Sequence, residues 1–203
     1  MYKNIIFDFG AVLVDWNPHH VFDSYFGDRD KAEWFITHIC DSKWNAQMDC
    51  GKPFAQGVAE LAAVHPEWKK EIELYWRNWK GMMGGPIPGM LELVRELKDS
   101  GLKIYGLTNW SAETFYTIVD EYPVFSLLDG KVVSGEEKLI KPDPAIYRLL
   151  LDRYSLDPSE SIFVDDNPAN VETASTLGIK GIRFISAGQV RKEFESLGII
   201  DAQ

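Results

Sequence analysis

The sequence predicts an α/β fold in which a parallel sheet carries a helical insertion. Three observations support this prediction. Short apolar segments stop at polar or turn residues, helical patterns separate the later segments, and a long tryptophan-containing stretch follows the first one. Near-continuous apolar runs are typical of strands buried on both faces of a parallel sheet. Strands that alternate with helices indicate an open α/β sheet.

Strands and helices can be assigned in order along the chain. The predicted buried strands cover residues 4–8, 103–108, 161–165 and 180–184. Helices are predicted where apolar residues recur on one face, over residues 90–98, 144–154 and 169–177. Asp143-Pro144 and Asn167-Pro168 each supply a capping residue followed by a proline in the first turn, which is a helix start signal.

The stretch from Asn17 to Lys80 has helical spacing and no convincing strand. It contains five of the seven tryptophans, which are Trp34, Trp44, Trp68, Trp76 and Trp79. Because it lies between the first two strands, we interpret it as an inserted helical domain. The outgoing hinge is expected near Asp15-Trp16 and the return hinge in the Gly/Pro-rich segment 81–89. We therefore predict a sheet domain from residues 1–15 and 87–203, and a helical domain from residues 16–86.

Composition and charge exclude several classes of function. With 21 basic and 31 acidic residues the net charge is −10, which makes nucleic acid or an anionic membrane an unfavourable partner. No apolar run approaches the ~20 residues that span a bilayer. Asp8 and Asp15 interrupt the apolar start of the chain, so it does not read as a signal sequence. Two cysteines do not make a disulfide scaffold. We expect a cytoplasmic protein.

Polar residues follow the predicted strands where an open parallel sheet binds its ligands. They are Asp8, Thr108-Asn109, Lys141 in a later loop, and Asp165-Asp166. Taken singly, each has an ordinary explanation as a turn former, a helix cap or a solvated lysine. Two adjacent acids at a buried strand end are less ordinary, since like charges repel unless a cation or a proton intervenes.

The order of these four features resembles the haloacid dehalogenase-like (HAD) hydrolase superfamily, whose members are mostly phosphatases. The resemblance covers essentially the whole chain, and the insertion resembles the cap of capped subfamily I. In their motifs, residues 7–15 (FDFGAVLVD) and 164–170 (VDDNPAN) look most like the sugar-phosphate phosphatase group that includes alpha-D-glucose-1-phosphate phosphatase. The resemblance implies a Rossmann-like core with a cap and a small phosphorylated metabolite as substrate.

The resemblance also implies a role for each matching residue. Asp8 would be the nucleophile that forms an aspartyl-phosphate. Mg²⁺ would be bound by Asp8, the backbone carbonyl of Gly10 and Asp166, with Asp165 binding directly or through water.

The remaining motif residues would act on the phosphate. Thr108 and Asn109 would offer donors to the phosphoryl oxygens. Lys141 would place a positive charge beside Asp8 and the phosphate, and we expect Lys141→Ala to lower activity severely without unfolding the protein. Asn170, one helical turn after Asp166, would either bond a ligand or face solvent.

Gly10 departs from the common phosphatase pattern, in which a second Asp two residues after the nucleophile is the general acid and base. The sugar-phosphatase group that the chain resembles also has Gly here. Asp15, His19 and His20 near the cap hinge are candidates for the missing function, although a surface or capping role is the commoner use of such residues. General acid–base help is typically worth ~10²–10⁴ in rate.

Specificity would reside in the cap. Trp44, Gln47 and Asp49 lie just before Gly51, where capped members usually place residues that face the substrate, but tryptophan at helical spacing is more often part of a core. Two alternative functions stay open. One is a metal-independent 2-haloacid dehalogenase, against which the Asp165-Asp166 pair counts. The other is a catalytically weak protein that binds a phosphometabolite.

Overall fold

The computed structural model describes residues 1–201 and confirms the predicted α/β class. The described residues form seven strands: β1 (Asn4–Phe7), β2 (Val14–Trp16), β3 (Met83–Pro86), β4 (Lys103–Thr108), β5 (Gly130–Val133), β6 (Ser161–Asp165) and β7 (Lys180–Arg183). Five of them make a sheet in the order β5-β4-β1-β6-β7. Every pair in it is parallel, as expected for strands joined by helical crossovers.

The described residues also form eleven α-helices: α1 (His19–Phe26), α2 (Arg29–His38), α3 (Ser42–Asp49), α4 (Phe54–Val64), α5 (Lys69–Arg77), α6 (Met90–Asp99), α7 (Ala112–Phe115), α8 (Ser134–Glu137), α9 (Pro144–Tyr154), α10 (Pro168–Thr176) and α11 (Ala187–Ser196). Short 3₁₀ turns occur at Pro66–Trp68, Trp79–Met82, Val119–Glu121, Pro123–Leu127 and Pro158–Glu160. None of the helices within residues 1–201 is long and apolar enough to cross a membrane.

Helices cover both faces of the sheet. Along β1, Ile6 belongs to a cluster with residues of α9 and α10, whereas Ile5 and Phe7 belong to a cluster with α6 and α11. Successive side chains of a strand point to opposite faces, so the consecutive apolar residues Ile5, Ile6 and Phe7 of β1 cover both faces. This is the reason that the central strands were readable as continuous apolar runs.

Several features of the fold were not predicted. Helices α7, α8 and α11 lie in segments for which no helix was expected. β5 lies at an edge of the sheet and is Gly-Lys-Val-Val, so it lacks the apolar run that marks the inner strands. β2 and β3 pair with each other as a short antiparallel ribbon, although no strands were expected in the hinge segments. The five helices α1–α5 lie between the two strands of this ribbon in the sequence.

Candidate active site

The carboxyl ends of β1, β4 and β6 lie side by side at one edge of the sheet. β1 is the central strand and pairs with both neighbours. Asp8 follows β1 directly, Thr108 ends β4 and Asp165 ends β6. Three polar residues that are far apart in the sequence are therefore brought to the edge where open α/β sheets bind ligands.

Lys141 joins two of these carboxylates. Its Nζ lies 2.9 Å from Oδ1 of Asp8 and 2.7 Å from Oδ2 of Asp165, and it also donates to the carbonyl of Leu107 at 2.8 Å. Lys141 is 3% exposed and Asp165 is completely buried. The ammonium is therefore held as a fixed positive charge between two carboxylates.

Burial dominates the electrostatics of Asp8. It raises the pKa of the Asp8 carboxyl to about 7, against the attraction of Lys141, and the negative charge of Asp165 adds to the rise. The same two carboxylates raise the pKa of Lys141 despite its burial. Burial thus outweighs the attraction of one ammonium, and a further cation at the site would favour the carboxylate.

Asn109 holds the main chain of Lys141 in place. Its Nδ2 donates to the Lys141 carbonyl at 2.9 Å, and its Oδ1 accepts from the Lys141 N–H at 2.8 Å. These two bonds link the end of β4 to a loop 32 residues later. The Asn109 carboxamide, one of the donors expected to reach a phosphate, is therefore used to position the lysine.

Asn170 is buried and lies against Asp165, so it does not face solvent. Its Nδ2 lies 3.1 and 3.0 Å from the two oxygens of Asp165. Asp165 Oδ1 also accepts from the N–H of Asn167 at 2.8 Å. With Lys141 on Oδ2, both oxygens of this buried carboxylate are supplied with donors.

The three acids at this edge could hold a metal ion. Asp8, Asp165 and Asp166 each offer one carboxylate oxygen within 4.8 Å of the others. Asp166 is exposed, and its pKa is raised by partial burial and by the charge of Asp165. An all-oxygen donor set of this charge suits Mg²⁺, which keeps several waters when bound to proteins. The residues present therefore fit the ion.

Three buried polar atoms near the site have no partner in the described chain. They are Oγ1 of Thr108, Nε1 of Trp16 and Oδ1 of Asn170. Buried polar groups are normally hydrogen-bonded, and an unpaired one requires an explanation. Thr108 ends β4 and Trp16 lines the cleft described next, so both atoms are suited to meet a bound ligand or water.

A cleft adjoins the strand ends. It consists of two cavities, of about 60 and 350 Å³, that share Trp16, Asn45, Asp49 and Asn109 in their linings. Gly10 lines the smaller cavity, and Lys141 lines the larger one. A third cavity of about 610 Å³ lies between α4 and α5, but none of the strand-end residues lines it.

The face of α3 that lines the cleft differs from the predicted one. Ser42, Asn45, Ala46 and Asp49 face the cleft, at the i, i+3, i+4 and i+7 spacing of one helix face. Trp44 instead packs inside the helical insertion, against Tyr75, and its Nε1 donates to the Gly57 carbonyl.

Gln47 is likewise absent from the cleft lining. It is exposed, and its Oε1 accepts from Nζ of Lys52 at 2.6 Å. The structure therefore does not bring either Trp44 or Gln47 to the site, whereas it does bring Asp49. The periodicity of α3 indicated a helix, but it could not indicate which of its faces would cover the sheet edge.

Asp49 connects the insertion to the sheet. Its Oδ1 accepts from the N–H of Ser111 at 3.1 Å, and its Oδ2 accepts from Nδ2 of Asn45 at 2.8 Å. Its main-chain carbonyl accepts from the hydroxyl of Ser134. Burial raises the pKa of the Asp49 carboxyl to about 7, and the two hydrogen bonds oppose that rise only in part.

The hinge candidates for proton transfer lie elsewhere. His20 Nε2 and Asp15 Oδ2 are 2.8 Å apart, beside the β2–β3 ribbon. His19 lies between Asp23 and Glu33, at 2.6 and 2.8 Å. None of these residues lines the cleft cavities.

Comparison with known proteins identifies the family. The model of the haloacid dehalogenase-like hydrolases matches residues 2–178. A sesquiterpene phosphatase of Aspergillus oryzae is 31% identical over 182 residues, which cover 89% of each chain. A D-ribitol-5-phosphate phosphatase of Bacteroides thetaiotaomicron is 24% identical and covers 95% of this chain and 97% of its own.

Solved structures share the fold. A HAD family enzyme of Bacteroides thetaiotaomicron, solved with magnesium and inorganic phosphate, superposes with a TM-score of 0.70 at 20% identity. The superposition covers 92% of this chain and 96% of that one. The chain belongs to the haloacid dehalogenase-like hydrolase family.

Proposed function

We propose that the protein is a Mg²⁺-dependent phosphatase that hydrolyses a small phosphomonoester through an aspartyl-phosphate on Asp8. The observation that carries this proposal is the arrangement of Asp8, Lys141, Asp165 and Asp166 at one sheet edge. A carboxylate that must attack an anionic phosphate needs nearby positive charge, and this edge supplies an ammonium and an oxygen-rich metal site. The phosphatase names of the two relatives agree with it.

The chemistry assigns one task to each residue. An oxygen of Asp8 forms a bond to phosphorus while the bond from phosphorus to the ester oxygen breaks. Water then attacks phosphorus, the bond to Asp8 breaks, and inorganic phosphate leaves. Lys141 offsets the negative charge of Asp8 and of the phosphoryl group throughout. Thr108 Oγ1, which has no partner in the described chain, would donate to a phosphoryl oxygen.

Asp8, Asp166 and the backbone carbonyl of Gly10 would hold the magnesium ion. When bound, the ion supplies positive charge that offsets the repulsion between Asp8 and the phosphate. Asp165 has both oxygens occupied by Lys141, Asn167 and Asn170. We therefore assign it to positioning Lys141, with contact to the ion through water.

The substrate proposed is a sugar phosphate or a related polyol phosphate. Asn45, Asp49 and the unpaired Trp16 Nε1 give the cleft several hydrogen-bonding groups beside the site, as hydroxyl-bearing substrates require. A cleft of about 350 Å³ lies at the lower end of the usual range for small-molecule sites. This assignment places the chain near the sugar-phosphate phosphatase group and makes residues 16–86 a substrate-selecting cap, joined to the core at the β2–β3 ribbon.

A 2-haloacid dehalogenase is the alternative reaction for an Asp nucleophile beside a lysine. Asp166 is exposed at the edge and has no cation within the ion-pair distance among the described residues. A second carboxylate there would repel a carboxylate substrate, whereas it is useful to a metal ion. The acidic pair therefore favours the phosphatase.

The decisive test is phosphate release across a panel of sugar, polyol and nucleoside phosphomonoesters with Mg²⁺ and with EDTA. We expect release that requires Mg²⁺ and that falls by at least ~10³-fold in Asp8→Asn, because the nucleophile is lost. The matched control is Asp99→Asn, an exposed acid at the end of α6. EDTA-resistant halide release from a 2-haloacid, assayed beside the panel, would establish the dehalogenase instead. Wild-type turnover in Asp8→Asn would refute the mechanism.

A further inference from the structure

The acid that most phosphatases of this family carry two residues after the nucleophile is replaced here by Gly10, so the leaving oxygen needs another proton source. In an in-line displacement the leaving oxygen lies on the side of phosphorus opposite Asp8. Gly10 lines the smaller cavity of the cleft, Lys141, whose Nζ contacts Asp8, lines the larger one, and α3 lines both. A proton donor on the cleft-lining face of α3 is therefore the candidate to meet the leaving group.

Asp49 is the titratable side chain of α3 that lines both cavities of the cleft. It shares the smaller cavity with Gly10, the residue at which the acid is missing. The other acids near the hinge are absent from these linings. Asp49 is also positioned from two sides, because Ser111 of the sheet domain and Asn45 of its own helix each donate to one of its oxygens.

We propose that the Asp49 carboxyl donates the proton to the leaving oxygen and later accepts one from the attacking water. This proposal rests on the phosphatase function proposed above. In the first step the bond from Asp8 to phosphorus forms, the ester P–O bond breaks, and the ester oxygen takes the Asp49 proton and leaves as an alcohol. In the second step Asp49 takes a proton from water while the oxygen of that water bonds to phosphorus. The bond from phosphorus to Asp8 breaks, and both residues return to their starting states.

The surroundings of Asp49 suit this exchange. Burial keeps its pKa near 7, and efficient acid–base catalysts have a pKa near the working pH. Besides burial, only the hydrogen bonds from Ser111 and Asn45 shift this pKa, and no lysine or arginine of the described residues forms an ion pair with Asp49. Tyr75 donates to Asn45 Oδ1, and burial raises the pKa of Tyr75 well above its usual value, so its hydroxyl stays neutral. Lys141 lines the same cavity, but its Nζ already bonds Asp8, Asp165 and Leu107.

Space at Gly10 provides an independent way to test the assignment. A Cβ added at Gly10 would meet no atom within 4 Å, and the residue is not among the glycines with positive φ. Gly10→Asp can therefore place a carboxyl at the usual position of the acid. If Asp49 substitutes for that acid, the new carboxyl should raise the rate most in a variant whose residue 49 cannot transfer a proton.

The experiment measures the rate of the first step in single turnovers with two esters. Glycerol 3-phosphate has an alcohol that needs a proton to leave, whereas p-nitrophenyl phosphate has a phenolate that leaves without one. We expect Asp49→Asn to slow the glycerol ester by ~10²–10⁴-fold, as loss of an acid catalyst does, and to slow the aryl ester by at least ~10-fold less. Gly10→Asp in the Asp49→Asn background should restore much of the loss on the glycerol ester.

Asp41→Asn is the matched control, since it makes the same change at the opposite end of α3 and Asn still caps a helix. We expect it to leave the ratio of the two esters unchanged. Equal losses on both esters in Asp49→Asn, or a rise in KM with kcat intact, would overturn the proposal and make Asp49 a structural or substrate-binding residue. A Gly10→Asp gain as large in the wild type as in Asp49→Asn would overturn it as well. A different result, retained activity in Asp8→Asn, would refute the proposed function itself.

Discussion

At the scale of single residues, the central feature is a buried lysine shared by two buried carboxylates. Lys141 Nζ contacts both Asp8 and Asp165, and all three side chains lie at the sheet edge. Burying charges is costly unless they are paired and hydrogen-bonded. The lysine therefore serves the stability of this edge as well as the proposed chemistry.

This geometry revises what the sequence suggested for Lys141→Ala. We now expect the variant to lose activity and also to be destabilised, by about 3–5 kcal/mol, because removing one partner leaves buried charge unpaired. Chemical denaturation of the metal-free protein measures this loss, and Lys180→Ala, an exposed lysine at the start of β7, is the control.

The loss in Lys141→Ala should depend on pH. The pKa of Asp8 is raised from 3.8 to about 7 by folding, so ionising it costs folded-state stability as pH rises through that window. Without Lys141 the cost grows, so the gap to wild type should widen between pH 5 and pH 8. A variant as stable as wild type at both pH values would show that the ion pairs contribute nothing to folding.

At the scale of elements, the site depends on loops that are fixed to strand ends. Asn109 ties the end of β4 to the loop that carries Lys141, through one donated and one accepted bond. A buried or half-buried hydrogen bond contributes about 1 kcal/mol net. These two hydrogen bonds fix the loop, so that Lys141 stays in contact with Asp8 and Asp165.

We expect Asn109→Ala to loosen this loop. The Lys141 amide should exchange its hydrogen faster, stability should fall by about 1–3 kcal/mol for two lost bonds, and kcat should fall more than KM rises. Hydrogen exchange resolved to residues 139–143 measures the first effect. Asp143→Ala removes a capping bond of α9 in the same loop and should leave the Lys141 amide protected. Unchanged hydrogen exchange in Asn109→Ala would show that the two hydrogen bonds from Asn109 to Lys141 do not order the loop.

At the scale of the whole molecule, the site is completed by parts that are distant in sequence. The sheet edge supplies the acids and the lysine, and α3 of the insertion supplies the wall of the cleft. Asp49 joins these parts through Ser111 and Ser134. Asp8 and Asp166 come together only in the folded chain. A ligand that binds both should therefore stabilise the folded state.

We expect Mg²⁺ to raise the midpoint of thermal unfolding and EDTA to reverse the effect. At a concentration 100 times Kd, a ligand of the folded state alone contributes about 2.7 kcal/mol. Asp166→Asn should weaken the shift strongly, because it removes the exposed carboxylate of the cluster. Asp99→Asn, which makes the same change away from the edge, should keep it. An equal shift in both variants would place the ion elsewhere.

The sequence by itself determined the strands β1, β4, β6 and β7, the helices α6, α9 and α10 that cover them, and the polar residues at the strand ends. These follow from local rules, since apolar runs, capping residues and strand-end acids can be recognised within a few neighbouring positions. It missed β5 and the β2–β3 ribbon, because short edge strands and paired hinge segments lack an apolar run of their own.

Only the tertiary structure decided which side chains meet. Trp44 packs inside the insertion and Asp49 lines the cleft, whereas the Asn109 carboxamide forms hydrogen bonds to the main chain of Lys141. Lys141 itself is buried between two acids. The physical reason is that helical periodicity gives the faces of a helix but not their orientation. Contacts between segments that are far apart in the sequence form only when the chain packs together.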